Sequence, residues 1–136
     1  MTSSKKAVLQ IDIEEVEKAI INGCGDKQYK KIRKLLAGDL TVLNGATEAI
    51  YNQLELTFQL NEPVGAYLLG RFRKDKACYW DLQYSVYFLV SSSTNKRTID
   101  YLMILSKEQG PNGKDWCTNC IKTIQSKIDE NQLDGQ

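Results

Sequence analysis

Residues 77–90, Ala-Cys-Tyr-Trp-Asp-Leu-Gln-Tyr-Ser-Val-Tyr-Phe-Leu-Val, constrain the fold more than any other stretch, because two kinds of side chain alternate along their whole length. Cys78, Trp80, Leu82, Tyr84, Val86, Phe88 and Val90 share one parity; Tyr79, Asp81, Gln83, Ser85 and Tyr87 share the other. Successive strand residues face opposite sides of a sheet, so the pattern predicts a strand with one core face and one wet, partly aromatic face.

The flanking segments read as its partners. Residues 64–73 place Ala66, Leu68 and Phe72 on one side and Tyr67, Leu69, Arg71 and Arg73 on the other, and a polar turn at 73–76 joins them to the long strand. After the polar loop 91–97, residues 98–106 supply a third strand with Ile99, Tyr101, Met103 and Leu105 in phase. Consecutive strands with short connections pair in order, which predicts an antiparallel meander.

Helical signals bracket this sheet. Asp12 and Glu15 form a D-x-x-E capping arrangement ahead of the stripe Ile13, Val16, Ala19 and Ile20, with Gly23 or Gly25 as the stop. A second short helix runs from Asp26 to Ala37 with Gly38 as its stop, and residues 44–60 fit a helix that gives way to a strand near Gln53. Pro63 breaks that segment, and Gly110-Pro111-Asn112-Gly113 is a second break before a final helix capped by Asp115 and striped by Trp116, Cys120, Ile121, Ile124 and Ile128. The expected fold is therefore α+β: N-terminal helices and a C-terminal helix packed on one face of a three- to four-stranded antiparallel meander. Residues 1–136 are expected to form a single domain, with 1–11 and 130–136 flexible.

Composition narrows the chemistry. Lys and Arg number 18 against 17 Asp and Glu, so the whole molecule has no field that would draw it to nucleic acid or an anionic membrane. There is no histidine, which removes Ser-His-Asp and Cys-His nucleophiles and histidine-ligated zinc from one chain. No apolar run approaches the roughly 20 residues of a membrane span. The N-terminus lacks the apolar region of a signal peptide, and the four cysteines then read as free thiols of a cytoplasmic protein.

The sequence Trp116-Cys117-Thr118-Asn119-Cys120 at a helix start locally resembles the W-C-x-x-C redox centre of the thioredoxin family. That resemblance implies a helix N-terminus lowering the pKa of Cys117, with Cys120 as its redox partner. In the family the motif comes early and a cis-proline loop follows it; here 16 residues follow Cys120, and Pro63 and Pro111 both precede the motif. The order of elements thus favours two helix cysteines with no redox task. Zinc binding by Cys24, Cys78, Cys117 and Cys120 has the right ligand number but only one C-x-x-C knuckle, so no metal and no cofactor is expected.

Two binding surfaces are expected. The wet sheet face would present Arg71, Arg73, Tyr79, Asp81, Gln83, Tyr87 and Asp100, residue types that protein interfaces enrich. The second helix carries Lys27, Lys30, Lys31, Arg33 and Lys34, a basic face suited to phosphates or an acidic partner. The functional expectation is a small non-enzymatic protein-binding module, of the inhibitor or toxin-neutralising immunity type, whose partner is another protein such as a toxin or enzyme. One alternative is a cystatin-like or nuclear-transport-factor-like cone with a cavity under the sheet, using Asp81, Asp100 and Tyr79 as acid and base groups. A further alternative is nucleic-acid binding through the basic helix, disfavoured by the near-neutral total.

Overall fold

The computed structural model describes residues 10–36, 47–73 and 80–134. Among them every regular element is an α-helix and none is a strand: α1 (Ile13–Leu36), α2 (Thr47–Leu60), α3 (Glu62–Arg73), α4 (Trp80–Ser91), α5 (Lys96–Gln109) and α6 (Pro111–Asp134). The expected α+β meander is thereby overturned. Its three strands are α3, α4 and α5, the helix-to-strand change expected near Gln53 is absent because α2 stays helical to Leu60, and among the described residues there is no sheet face and no cone cavity beneath one.

The reason lies in side-chain spacing. In α4 the residues turned inward are Val86 and Val90, with Leu82 and Leu89 partly covered, while Tyr84 and Phe88 stand 55% and 65% exposed. Leu82, Val86 and Val90 are four apart, a spacing that lies on one face of either a helix or a strand. In α5 the buried set is Thr98, Tyr101, Leu102, Ile104 and Leu105, which follows the helical period. Strand-favouring residue types are weak evidence beside such packing.

At the centre of the molecule is α3. Every residue from 63 to 70 is buried, as is Phe72, and the helix packs against α1, α2, α4 and α5. A helix apolar on all sides must be surrounded, and burying each of Val64, Leu68, Leu69 and Phe72 contributes about 1.5–3 kcal/mol. The breaks expected at Pro63 and at residues 110–113 are there, at Asn61 and Gly110, and each proline stands in the first turn of the helix that follows, where an N–H has no helical acceptor to lose; α6 thus starts at Pro111 and its expected cap, Asp115, lies inside it. Asn61 alone joins α2 to α3: its N–H donates to the Thr57 carbonyl at 2.8 Å, and its side-chain oxygen accepts from the Val64 N–H at 3.2 Å. The corner is so tight that a Cβ on Gly65 would lie 2.2 Å from Phe58 Cα.

Around this axis α1 packs on α2, and α6 packs on α5 and α4. Asp12 caps α1 as the sequence indicates, its carboxylate accepting from the Glu15 N–H at 3.2 Å. Gly23 and Gly25 do not end α1, which continues to Leu36 and absorbs the expected second helix; each interior glycine costs about 1 kcal/mol, and buried Ile20 and Ile32 anchor the helix on either side of them. The α6 stripe of Cys120, Ile124 and Ile128 is buried as expected. Lys127 donates to the Ser91 carbonyl at 2.8 Å, satisfying an acceptor in the last turn of α4. No helix among the described residues is long and apolar enough to cross a membrane.

Candidate functional site

One groove gathers three of the residues that the sequence marks for binding. Arg73 at the end of α3, Gln83, Tyr84 and Tyr87 on α4, and Trp116 on α6 line an open groove of about 270 Å3. The Arg73 guanidinium lies 4.8 Å from the centre of the Trp116 ring, a cation–π arrangement that holds one wall. Tyr84 and Phe88, one helical turn apart, stack at 6.3 Å between centroids and 19° between planes, and Tyr87 meets Phe88 edge-on at 5.7 Å. Arg73, Gln83 and Tyr87 thus do come together, but on two helices, α3 and α4, rather than one sheet.

The other expected binding residues are dispersed. Arg71 belongs to an internal network, donating to the Tyr67 hydroxyl and to Glu108, each at 3.2 Å. Asp100 is exposed on α5, and Lys30 and Lys34 are exposed on α1, where Arg33 pairs with Glu17. Tyr79 and the side chains of Asp81 and Lys31 lie outside the described residues.

Cys117 and Cys120 are buried free thiols in the interior of α6. The helix begins at Pro111, so Cys117 sits in its second turn, past the free N–H groups that activate a thiol at a helix start. Burial pushes Cys117 up to about 11 and Cys120 up to about 12, with the Arg73 charge pulling the other way without offsetting it.

Two carboxylate clamps, unmarked in the sequence, flank α3. Glu15 of α1 accepts from Arg97 at 2.5 Å and from the Tyr101 hydroxyl at 2.6 Å, both on α5, and from the Asn61 amide at 3.0 Å. Glu108 of α5 accepts from the Tyr67 hydroxyl at 2.7 Å and from Arg71, both on α3. In each clamp the tyrosine and arginine are one turn apart on a single helix, with the guanidinium 5.7 or 5.8 Å from the ring centre. The two tyrosine rings meet edge-on at 6.3 Å, which joins the clamps through the core. The contacts span 82 and 37 residues of sequence, so no local pattern announces them.

The clamps fix the electrostatics. The hydrogen bond from Arg97 is the largest cause holding the Glu15 carboxyl down at about 2, with Tyr101 and Asn61 adding to it against burial. Burial, then the neighbouring carboxylate, pushes Tyr67 and Tyr101 up to about 12. A cleft of about 410 Å3 opens beside Glu15 with Asp12, Lys18, Asn61 and Arg97 in its walls, but its two central charges neutralise each other. The Glu15 carboxyl, the Tyr67 and Tyr101 phenols and the Cys117 and Cys120 thiols are each displaced further from neutrality than their ordinary values. Among the described residues no cluster of His, Cys, Asp and Glu is placed to hold a metal ion.

Comparison of the chain with family models, with curated proteins and with solved structures found no match to any of them.

Proposed function

We infer that this protein is a docking module for another protein, and that it engages its partner through the outer face of α4 and the adjoining groove. The observation that carries the reading is Tyr84 and Phe88, a stacked pair more than half exposed on a helix that has no charged residue after Asp81. Solvated helix faces are ordinarily charged, and exposed aromatic clusters beside a groove are what interface centres are made of. Free Cys117 and Cys120 thiols fit a reducing cytoplasm, which belongs to the same proposal.

The test is co-purification from native lysate of the wild type, a Tyr84→Ser/Phe88→Ser variant and a control Met103→Ser, which alters an exposed apolar residue on α5. A protein recovered in stoichiometric amount with the wild type and the control, and lost with the double variant, is the expected result. An identical set of co-purifying proteins for all three, with the variant still folded, would remove α4 as the contact surface.

A further inference from the structure

We propose that α1 is a hinged hairpin: it doubles back at Gly23–Gly25, and the Glu17–Arg33 ion pair latches its basic second limb, residues 26–36, against its acidic first limb, residues 13–22, so that the second limb opens as these charges are screened.

Distance is the first argument. The Arg33 guanidinium meets the Glu17 carboxylate although both residues belong to α1, 16 positions apart. At a rise of about 1.5 Å per residue a straight helix would hold their backbones about 24 Å apart. An extended arginine and an extended glutamate together reach only about 12 Å, at roughly 1.5 Å per bond. Side chains alone cannot close that gap, so the helix bends, and by far more than the gentle curvature of long helices. Glycines are recurrent sites of sharp kinks, and Gly25 lies midway between the two partners. Burial agrees. A straight α1, pinned near its start by Glu15 to Asn61 at the end of α2, would run about 36 Å beside a helix of about 21 Å and overrun it. Ile32 in the second limb is nevertheless as fully buried as Ile20 in the first.

Charge is the second argument. Asp12, Glu14 and Glu17 make the start of α1 acidic, whereas Lys30, Arg33 and Lys34 make its end basic, and these three cations are exposed. Doubling back brings the two signs together; a straight helix would hold Glu17 and Arg33 more than two Debye lengths apart, at about 10 Å each in 0.1 M salt. The latch is a weak one, because both of its side chains reach solvent, where an ion pair contributes little and salt screens it. A limb held by such a pair beyond a glycine corner opens at lower free energy than α3, which neighbours enclose.

The experiment is amide hydrogen exchange of the full chain, read as protection factors, for the wild type, Glu17→Arg, Arg33→Glu and the exchanged pair Glu17→Arg/Arg33→Glu, at about 0.1 and 1 M salt. Thermal melts confirm that each variant is folded. Measured relative to α3, protection of residues 26–36 should fall about two- to fivefold in each single variant, return in the exchanged pair, and fall in the wild type at the higher salt. Losses that simply add in the exchanged pair would mean that the two residues never meet, which overturns the hairpin. Losses spread equally over every helix would tie the pair to global stability and overturn the hinged limb, and protection that ignores salt would overturn the latch.

Discussion

α3 and α4 are successive helices of 12 residues each, drawn from the same apolar and aromatic residue types, and they end in opposite environments. Phe72 in α3 is 0% exposed and Phe88 in α4 is 65% exposed. Tyr67 in α3 is buried with its hydroxyl spent on Glu108, whereas Tyr84 in α4 is exposed and stacks on Phe88. Carboxylate clamps reach α3 at both ends, through Asn61 at its cap and through Tyr67 and Arg71 at its exit. Aromatic content alone therefore does not mark a core. What separates the helices is whether neighbours close on every side, and α3 has four such neighbours.

The largest effect should come from exchanging the two phenylalanines' fates. Phe72→Ala opens a cavity in a fully packed site and should cost about 3–5 kcal/mol in urea unfolding. Phe88→Ala should change stability by no more than about 0.5 kcal/mol while abolishing partner binding. Comparable losses from both would mean that the α4 face is part of the core. Next in size is Gly65→Ala. The new methyl meets the Phe58 backbone, which cannot swing aside as a side chain would, so the α2–α3 corner must open at a cost of about 1–3 kcal/mol. An unchanged melting temperature would show that the corner is looser than it looks.

Some of this was legible in the sequence, and the failures have definite causes. The Asp12 cap and the Cys120, Ile124, Ile128 stripe could be read because both are local, resting on residues three or four apart. α4 reads as a strand because Leu82, Val86 and Val90 satisfy both periods, and parity places Tyr84 and Phe88 in the core with them. α3 has no period to read, since a helix buried all round has no polar face. The prolines mark real breaks, because the missing N–H that disrupts a helix interior is harmless in the first turn of the next helix. Arg73, Gln83 and Tyr87 are marked by residue type, which does not depend on the fold; Trp116 reads as core and Glu15 as half of a cap, because their partners arrive from distant segments.

A smaller effect tests whether the clamp at the entrance to α3 stabilises the fold. Glu15 has a folded pKa of about 2 against 4.5 ordinarily, so its contribution is complete above pH 4.5 and is lost as pH falls toward 2. The clamp is partly open to solvent, which discounts that contribution to about 1–2 kcal/mol. Glu15→Gln should lower stability by that amount at neutral pH and converge with the wild type in acid. Parallel stability curves for the two proteins across this range would assign the acid limb to other carboxylates.

The smallest effect separates the tyrosines of the two helices. Tyr67→Phe removes a hydroxyl donated to Glu108 and accepting from Arg71, and should cost about 1 kcal/mol; Tyr84→Phe, at a ring 55% exposed, should cost less. The alkaline side gives an independent check. Tyr67 and Tyr101 are raised from 10 to about 12, so their neutral forms stabilise the fold fully below pH 10, and that contribution disappears as pH climbs through 12. Ultraviolet titration of tyrosinate should therefore show a late-ionising fraction in the folded protein that shrinks in Tyr67→Phe and persists in Tyr84→Phe. If the late fraction were equal in both variants, the hydroxyl of Tyr67 would be as accessible as that of Tyr84, and the division between an enclosed α3 and an open α4 would fail at the residue where the two helices are most alike.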